Sequence, residues 1–291
     1  MNEVSVRVEP RPSTQPGSLR VPERTLELLR DLVQARTGMH YDDARLHFLR
    51  DRITPLAIDR GFDSLLDYYY LLKYDNASDA EWLRVIDTLA VQETYFWREA
   101  DQLRALTDVI VPALAARGRH EIRIWSLPCA SGEEPLSIVM ALTQAGWYAR
   151  LPIEVHASDA SELALTRARA GVYGERAFRQ LPADLRERYF TATGRGEWRI
   201  DPTLHRRVLS WTRVNAVAPA EWPVHAAADV VFCRNLFIYF DGATVEQVTR
   251  DFAGRMRAPG YLCVAAAESL LRLKTPFTLE DVGGAFVYVQ A

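Results

Sequence analysis

The sequence has few of the patterns that mark a metal centre, a disulfide-bonded domain or a membrane span. Its three cysteines, Cys129, Cys233 and Cys263, lie far apart, and neither a C-x-x-C pair nor an H-E-x-x-H motif occurs. Buried thiols in a reducing compartment are therefore the expectation, with no metal site. No apolar run approaches the ~20 residues that a transmembrane helix needs, and the N-terminus is too polar for a signal peptide. We expect a soluble, cytoplasmic protein without direct membrane insertion.

The charges are balanced, and two common nucleotide-binding motifs are absent. In 291 residues, 35 Lys and Arg face 38 Asp and Glu, so the net charge of −3 does not favour nucleic acid as a partner. No G-x-G-x-x-G and no G-x-x-x-x-G-K-[ST] occurs. Dinucleotide-type and P-loop sites therefore lack their glycines.

The pattern of apolar residues changes once along the chain. Residues 1–20 contain scattered prolines and polar residues, which predict a disordered tail. Residues 21–92 have helical periodicity throughout, which indicates four helices. The first ends near Gly38, the second ends near Gly61, the third begins at Ser64 and the fourth begins at Ser78. This pattern predicts a small four-helix domain.

Residues 93–291 alternate short β-rich runs with helical stretches, which is typical of a doubly wound α/β sheet. The predicted strands are 122–126, 153–158, 229–233, 261–265 and 286–289. Between about Phe190 and Val214 two short alternating segments, 198–200 and 207–211, lie among the turn residues Gly194, Gly196 and Pro202. They predict a small antiparallel β insertion.

The segment Ser126–Ser137 joins the first predicted strand to a helix through a turn that contains Gly132. A strand, a tight turn and a helix N-terminus form a nucleotide-type site. Glu133 and Glu134 at the helix start suit a cationic group better than a polyphosphate. This combination suggests S-adenosylmethionine, which carries an amino group and a sulfonium. The alternative is an ordinary turn in which the glutamates only favour the helix dipole.

Three further segments place polar groups where such a site needs them. Asp159 ends the second strand, where an acid grips ribose hydroxyls in related folds or caps the next helix. Asn235 and Tyr239 follow a buried strand, although Tyr239 could be a core aromatic. Arg98 lies among aromatic residues at the domain junction. A partly buried guanidinium is expected to pair with a carboxylate, either that of a structural acid such as Glu99 or that of a ligand.

Together these four segments resemble the CheR-type methyltransferases, which methylate glutamates of bacterial chemoreceptors. The usual sequence motifs of this family are close to N-E-T-Y-F-F-R-E, W-S-A-x-C-S-T-G-E-E-P-Y-S, A-S-D and F-C-R-N-x-x-I-Y-F. The likeness covers about residues 25 to 290 of this chain, in the same order. It implies an N-terminal helical domain, then a Rossmann-like S-adenosylmethionine-dependent methyltransferase domain with a small β insertion, hence an α/β fold.

The resemblance also implies roles for particular residues. The positions that match the family's cofactor site are Gln92, Thr94, Arg98, Glu133, Asp159, Asn215, Ala216, Arg234 and Asn235. Arg98 and Tyr239 match the positions near the transferred methyl group. The implied cofactor is S-adenosylmethionine, with S-adenosylhomocysteine as product, and the implied partner is the cytoplasmic coiled-coil domain of a chemoreceptor-like protein.

The chain departs from the family text at several positions. Gln92 replaces Asn, Pro128 replaces Gly or Ala, and Ala265–Ala267 stand where the family often reads G-H-S. The leading hypothesis is protein-glutamate methylation. These departures keep a second one open, a cofactor-binding signalling or adaptor protein with weak or no turnover. The second helix carries Arg45, Arg50, Arg52 and Arg60 beside four aspartates, which is either a receptor-contacting face or a solvated, net-neutral one.

Overall fold

The computed structural model describes residues 21–75 and 78–290. It forms two compact units, which divide between Val91 and Gln92. The disordered tail expected for residues 1–20 lies outside the described residues.

The described part of the first unit contains four α-helices and one short 3-10 turn, Asp43–Arg45, and the α-helices have a core of their own. Their bounds are α1 Glu23–Thr37, α2 Leu46–Asp59, α3 Leu65–Tyr74 and α4 Ser78–Leu89. Gly38 ends α1 with a φ of +78°, and Ser64 caps α3 by accepting a hydrogen bond from the Leu66 backbone N–H. The predicted helical domain is confirmed.

A buried carboxylate crosslinks this helical unit. Glu81 is 1% exposed, accepts a 2.7 Å hydrogen bond from the Tyr68 hydroxyl and pairs with Arg60 and Arg84. Burial and the neighbouring carboxylate raise the pKa of Tyr68. Arg60 is thus partnered within the unit, as is Arg50 by Asp51.

The second unit is an α/β domain. Its helices are α5 Ala100–Ala105, a π-helical turn Leu106–Ile110, α6 Val111–Ala116, α7 Glu133–Gln144, α8 Glu162–Ala170, α9 Ala183–Tyr189, α10 Pro202–His205 and α11 Gly242–Arg255. Its strands are β1 Ile122–Ser126, β2 Ile153–Asp159, β3 Val172–Gly174, β4 Phe190–Gly194, β5 Glu197–Ile200, β6 Val208–Arg213, β7 Val230–Phe232, β8 Gly260–Cys263, β9 Thr278–Val282 and β10 Ala285–Gln290.

The main sheet has seven strands in the order β6-β2-β1-β7-β8-β10-β9. The first five run parallel, and β10 pairs antiparallel with both β8 and β9. Ile122 and Ile124 of β1 pack in one core cluster with α7, whereas Trp125 packs in another with α11. Helices therefore cover both faces of the sheet, and the predicted α/β fold is confirmed.

A separate three-stranded antiparallel sheet has the order β3-β5-β4. The predicted insertion is therefore present, but assigning residues 207–211 to it was wrong. These residues lie in β6, which pairs parallel with β2 at the edge of the main sheet. Val208 is buried and the strand's other side chains are half-buried or exposed, so an edge strand produced the alternation typical of an antiparallel one.

Candidate functional site

The candidate site residues gather where the parallel strands end. Ser126, the last residue of β1, pairs with Ala157 of β2 on one side and with Phe232 of β7 on the other. The segments that follow β1, β2, β6, β7 and β8 consequently emerge at one edge of the sheet. This is the edge at which open α/β sheets bind ligands.

A tight turn connects β1 to α7. The Leu127–Pro128 peptide is cis, and the Cys129 backbone N–H donates a 2.8 Å hydrogen bond to the Ser158 carbonyl. Gly132 has a φ of +98°, and a Cβ there would lie 3.0 Å from the Trp211 ring. The turn therefore requires glycine at this position because both its backbone conformation and its surroundings exclude a side chain.

Glu133, the first residue of α7, is a buried carboxylate with little compensation. It is 4% exposed, and its hydrogen bonds within the described residues come from Ser131 Oγ, at 2.8 Å, and its own backbone N–H. Burial raises the pKa of Glu133 to about 7, and the charge of Arg179 acts in the opposite direction. A carboxylate whose ionised form is destabilised by burial is stabilised most by a cationic group of a ligand.

Glu134 has different neighbours, although it is next in sequence. Its carboxylate accepts hydrogen bonds from Ser126 Oγ at 2.7 Å and from Arg234 Nε at 2.6 Å. Arg234 is itself buried, donates a 2.8 Å hydrogen bond to the backbone carbonyl of Arg98, and lies 3.7 Å from Glu99. The Arg234 guanidinium thus connects β7, the start of α7 and the Arg98 segment.

Asp159 ties two loops together at the end of β2. One carboxylate oxygen accepts from the Ala130 backbone N–H at 2.8 Å and the other from the Ser161 backbone N–H at 2.9 Å. Ser161, rather than Asp159, caps α8 by accepting from the Ala164 N–H. Asp159 therefore holds the loop after β1 against the loop after β2 at the sheet edge.

Gln92 and Thr94 approach the site from the start of the second unit. The Gln92 amide donates to Ser161 Oγ at 3.1 Å and accepts from Arg167 at 2.8 Å. Its longer side chain therefore still reaches the end of β2, beside Asp159. Thr94 is half-buried.

The predicted residues after β6 and β7 lie on tight backbone turns. Asn215 Oδ1 accepts from the Val217 N–H at 3.2 Å, and Ala216 is 6% exposed. Asn235 has a φ of +60°, and its backbone N–H donates to Glu268 at 2.7 Å.

Arg98 and Tyr239 share an electrostatic environment. Arg98 packs over the Tyr95 ring at 5.3 Å and has no ion pair among the described residues. Glu99 is not its partner, because the Glu99 carboxylate pairs with Arg234 at 3.7 Å and accepts from the Ala266 N–H. Burial and Glu268 raise the pKa of the half-buried Tyr239, and the charge of Arg98 lowers it.

Two residues of this region were not among the sequence predictions. Arg179 lies over the Tyr95 ring at 3.6 Å and pairs with Glu93 at 3.3 Å. Its charge also lowers the pKa of Glu133. The sequence offers no signal for it, because it follows a short 3-10 turn far from the motifs.

Glu268 is the second of these residues. It is 5% exposed and accepts backbone hydrogen bonds from Asn235, Ile238 and Ala265. An acid five residues after a buried strand was the available signal, because carboxylates commonly fix loops at strand ends.

The donor set fits S-adenosylmethionine. Glu133 is a buried carboxylate, the type of group that would meet an ammonium, and Asp159 is a carboxylate at the adjacent strand end, the type of group that would meet ribose hydroxyls. In the part of the chain that the structure describes, no cluster of side chains could hold a metal ion. Of the described helices, none is long and apolar enough to cross a membrane.

Comparison with known proteins identifies the family of this chain. Residues 92–284 match the family model for the SAM binding domain of CheR methyltransferase, and residues 24–90 match that of its all-alpha domain. The chain belongs to the CheR methyltransferase family. It is therefore a methyltransferase with a domain that binds S-adenosylmethionine.

Curated relatives within the CheR family cover most of the chain. The chemotaxis protein methyltransferase 2 of Vibrio cholerae is 32% identical over 85% of this chain and 86% of its own length. The chemotaxis protein methyltransferase of Escherichia coli is 30% identical over 85% of each chain. The chemotaxis protein methyltransferase 1 of Pseudomonas aeruginosa is 28% identical over 90% of this chain and 96% of its own.

Proposed function

We propose that this cytoplasmic protein transfers the methyl group of S-adenosylmethionine to the γ-carboxylate of glutamates in the coiled-coil domain of a chemoreceptor-like protein. The observation that carries the proposal is Arg98, whose guanidinium is without an ion pair among the described residues and lies near Tyr239, at the sheet edge that holds Glu133. The relatives named as chemotaxis methyltransferases support it.

The cofactor would be held by its two polar ends. Glu133 would bind the ammonium group, and Asp159 the ribose hydroxyls. The remaining proposed contacts are Gln92, Thr94, Arg98, Asn215, Ala216 and Asn235. Arg234 is better understood as a positioning residue, because its guanidinium is engaged by Glu134 and the Arg98 carbonyl.

The reaction requires little acid–base catalysis from the protein. The methyl group of S-adenosylmethionine is bonded to a sulfonium sulfur. When the methyl group is transferred, this sulfur leaves as the neutral thioether of S-adenosylhomocysteine. A glutamate with an ordinary pKa of about 4.3 is already ionised at pH 7, so no general base is needed. The protein must align the carboxylate with the methyl carbon and exclude water. Arg98 would orient the carboxylate, and the Tyr239 hydroxyl would donate a hydrogen bond near the transferring group.

Tritiated methyl transfer to a purified receptor signalling domain tests the proposal. Glutamate methyl esters release their label as volatile methanol in mild alkali, whereas methylated nitrogen keeps it. Label that is absent or stable to alkali would contradict the proposal.

Calorimetry with S-adenosylhomocysteine distinguishes the second candidate, a cofactor-binding adaptor. The Gln92 side chain accepts a hydrogen bond from Arg167, which makes it less available to the cofactor. This observation favours the adaptor. Binding without transfer would support it. Asp159→Asn should weaken binding, whereas the exposed Asp184→Asn serves as a control with the same chemical change.

A further inference from the structure

A cavity of about 210 Å³ lies beside the candidate site, and none of the proposed cofactor contacts lines it. Its walls come from the start of α5, the segment after β8, and the β9–β10 hairpin. Glu99 follows Arg98 directly, and Glu268 holds the backbone of Asn235 and Ile238. The cavity is therefore next to the residues proposed to meet the acceptor carboxylate.

The charged groups that line the cavity are all acidic. Glu99, Asp101 and Glu268 contribute carboxylates, and no lysine, arginine or histidine is among the lining residues. Glu268 uses its oxygens on backbone N–H groups. Glu99 accepts from the Ala266 N–H through one oxygen, and its Oε2, which makes no hydrogen bond, lies 3.7 Å from Arg234. Asp101 has no hydrogen bond or ion pair among the described residues.

A buried amide provides independent evidence for a ligand. Gln102 is 5% exposed, and its Nε2 donates a 2.7 Å hydrogen bond to the Val264 carbonyl. Its Oε1 is buried without a partner. Rotating the amide would set oxygen against the Val264 carbonyl, so the contacts fix the amide orientation. An unpaired buried acceptor destabilises the protein unless a donor from outside satisfies it.

The size and the other walls indicate what kind of group enters. The volume is below the range of roughly 300–1,000 Å³ typical of sites for whole small molecules. Leu279, Tyr288 and Phe286 form an apolar side, and Phe286 is 67% exposed. An apolar wall beside acids suits a long aliphatic stem with a cationic end.

We propose that this cavity is a specificity subsite for a basic side chain of the polypeptide substrate. The guanidinium or ammonium group would be received by Asp101 and Gln102 Oε1, beside the Glu99 carboxylate that also faces Arg234, and its stem would pack on Phe286. The proposal rests on the proposed function, because it places the basic residue close to the methylated glutamate. It also gives a role to the small side chains of Ala265 and Ala266, which line the cavity.

A peptide series tests the subsite. Each synthetic helical peptide carries one glutamate and one arginine at spacings from one to eight residues, and its matched partner carries neutral citrulline instead. At one or two spacings, we expect kcat/KM for the arginine peptide to exceed that for the citrulline peptide about tenfold. Asp101→Asn should bring this ratio close to one.

Glu280→Gln is the matched control, because it removes one negative charge at the exposed position after Leu279 and should leave the ratio unchanged. Equal rates for arginine and citrulline at every spacing, or an unaltered ratio in Asp101→Asn, would overturn the subsite. Anisotropy of the labelled peptides with S-adenosylhomocysteine present reports binding without turnover. If no peptide is methylated but Asp101→Asn still weakens binding of the arginine peptide alone, the proposed reaction fails and the subsite stands.

Discussion

At the scale of single residues, Glu133 and Glu134 show how neighbours in sequence acquire different chemistry. Glu134 is neutralised by Arg234 at 2.6 Å, whereas the hydrogen bonds that the buried Glu133 accepts within the described residues come from a hydroxyl and a backbone N–H. Burial therefore destabilises the ionised form of Glu133 and leaves its charge for a ligand.

Glu133→Gln should stabilise the cofactor-free protein and abolish its ligand binding. The pKa of Glu133 is raised from 4.5 to about 7, so ionisation costs folding stability increasingly as the pH rises from about 4.5 to 7. At pH 8 we expect the variant to gain on the order of 3 kcal/mol in free energy of unfolding. Urea unfolding at pH 8 and pH 4.5 measures the gain, which should disappear at the lower pH.

The exposed Glu187→Gln controls for loss of charge alone. A stability gain that is the same at both pH values would contradict the assignment. So would calorimetric affinity for S-adenosylhomocysteine equal to that of the wild type.

Arg98→Ala should reduce turnover more than cofactor affinity. The guanidinium is proposed to orient the acceptor carboxylate, and poor orientation costs about 10²-fold in rate. We expect kcat to fall about 100-fold, while the dissociation constant for S-adenosylhomocysteine rises by a clearly smaller factor. Equal losses in both quantities would instead make Arg98 chiefly a cofactor contact.

At the scale of elements, Arg234 holds three segments in register. Its contacts with Glu134 and the Arg98 carbonyl fix the α7 start and the Arg98 backbone relative to β7. Removing one partner of a buried ion pair is far costlier than removing both.

Arg234→Met should therefore destabilise the protein by about 3–5 kcal/mol, and adding Glu134→Gln should restore part of this loss. Chemical denaturation of the single and double variants measures both effects, with the exposed Arg206→Met as a control. If the double variant is no more stable than Arg234→Met, the two side chains do not form the coupled pair described here.

Sequence patterns predicted elements well where local signals were strong. The helices of the first unit carried periodic apolar residues and caps at Gly38 and Ser64. The edge strand β6 was misassigned because its partial exposure produced alternation. The strand β9 went unpredicted because three of the five residues in its sequence, TLEDV, are exposed and two are charged.

The site could be predicted in position but not in contacts. Asp159, Asn235 and Glu133 follow buried strands, so their common edge is implied by a parallel sheet. The Arg234–Glu134 pair joins residues 100 apart in sequence, and no local pattern indicates it. The same holds for Arg179, which reaches Tyr95 and Glu93 from a distant turn.

At the scale of the whole molecule, every residue proposed to contact the cofactor lies in the second unit, which begins at Gln92. A ligand at 100 times its dissociation constant adds about 2.7 kcal/mol to the stability of the state that binds it. We expect S-adenosylhomocysteine to slow hydrogen exchange in the strands β1, β2 and β7, with little effect on α1–α4. Comparable slowing in α1–α4 would contradict a cofactor site formed by the second unit alone.

The most direct test of the central claim is tandem mass spectrometry of a receptor signalling domain incubated with the protein and trideuteromethyl S-adenosylmethionine. A deuterated methyl group should appear on glutamate side chains, should disappear after mild alkali, and should be strongly reduced with Arg98→Ala. Methyl groups confined to other residue types, or no methylation under conditions where calorimetry shows the cofactor bound, would contradict the account.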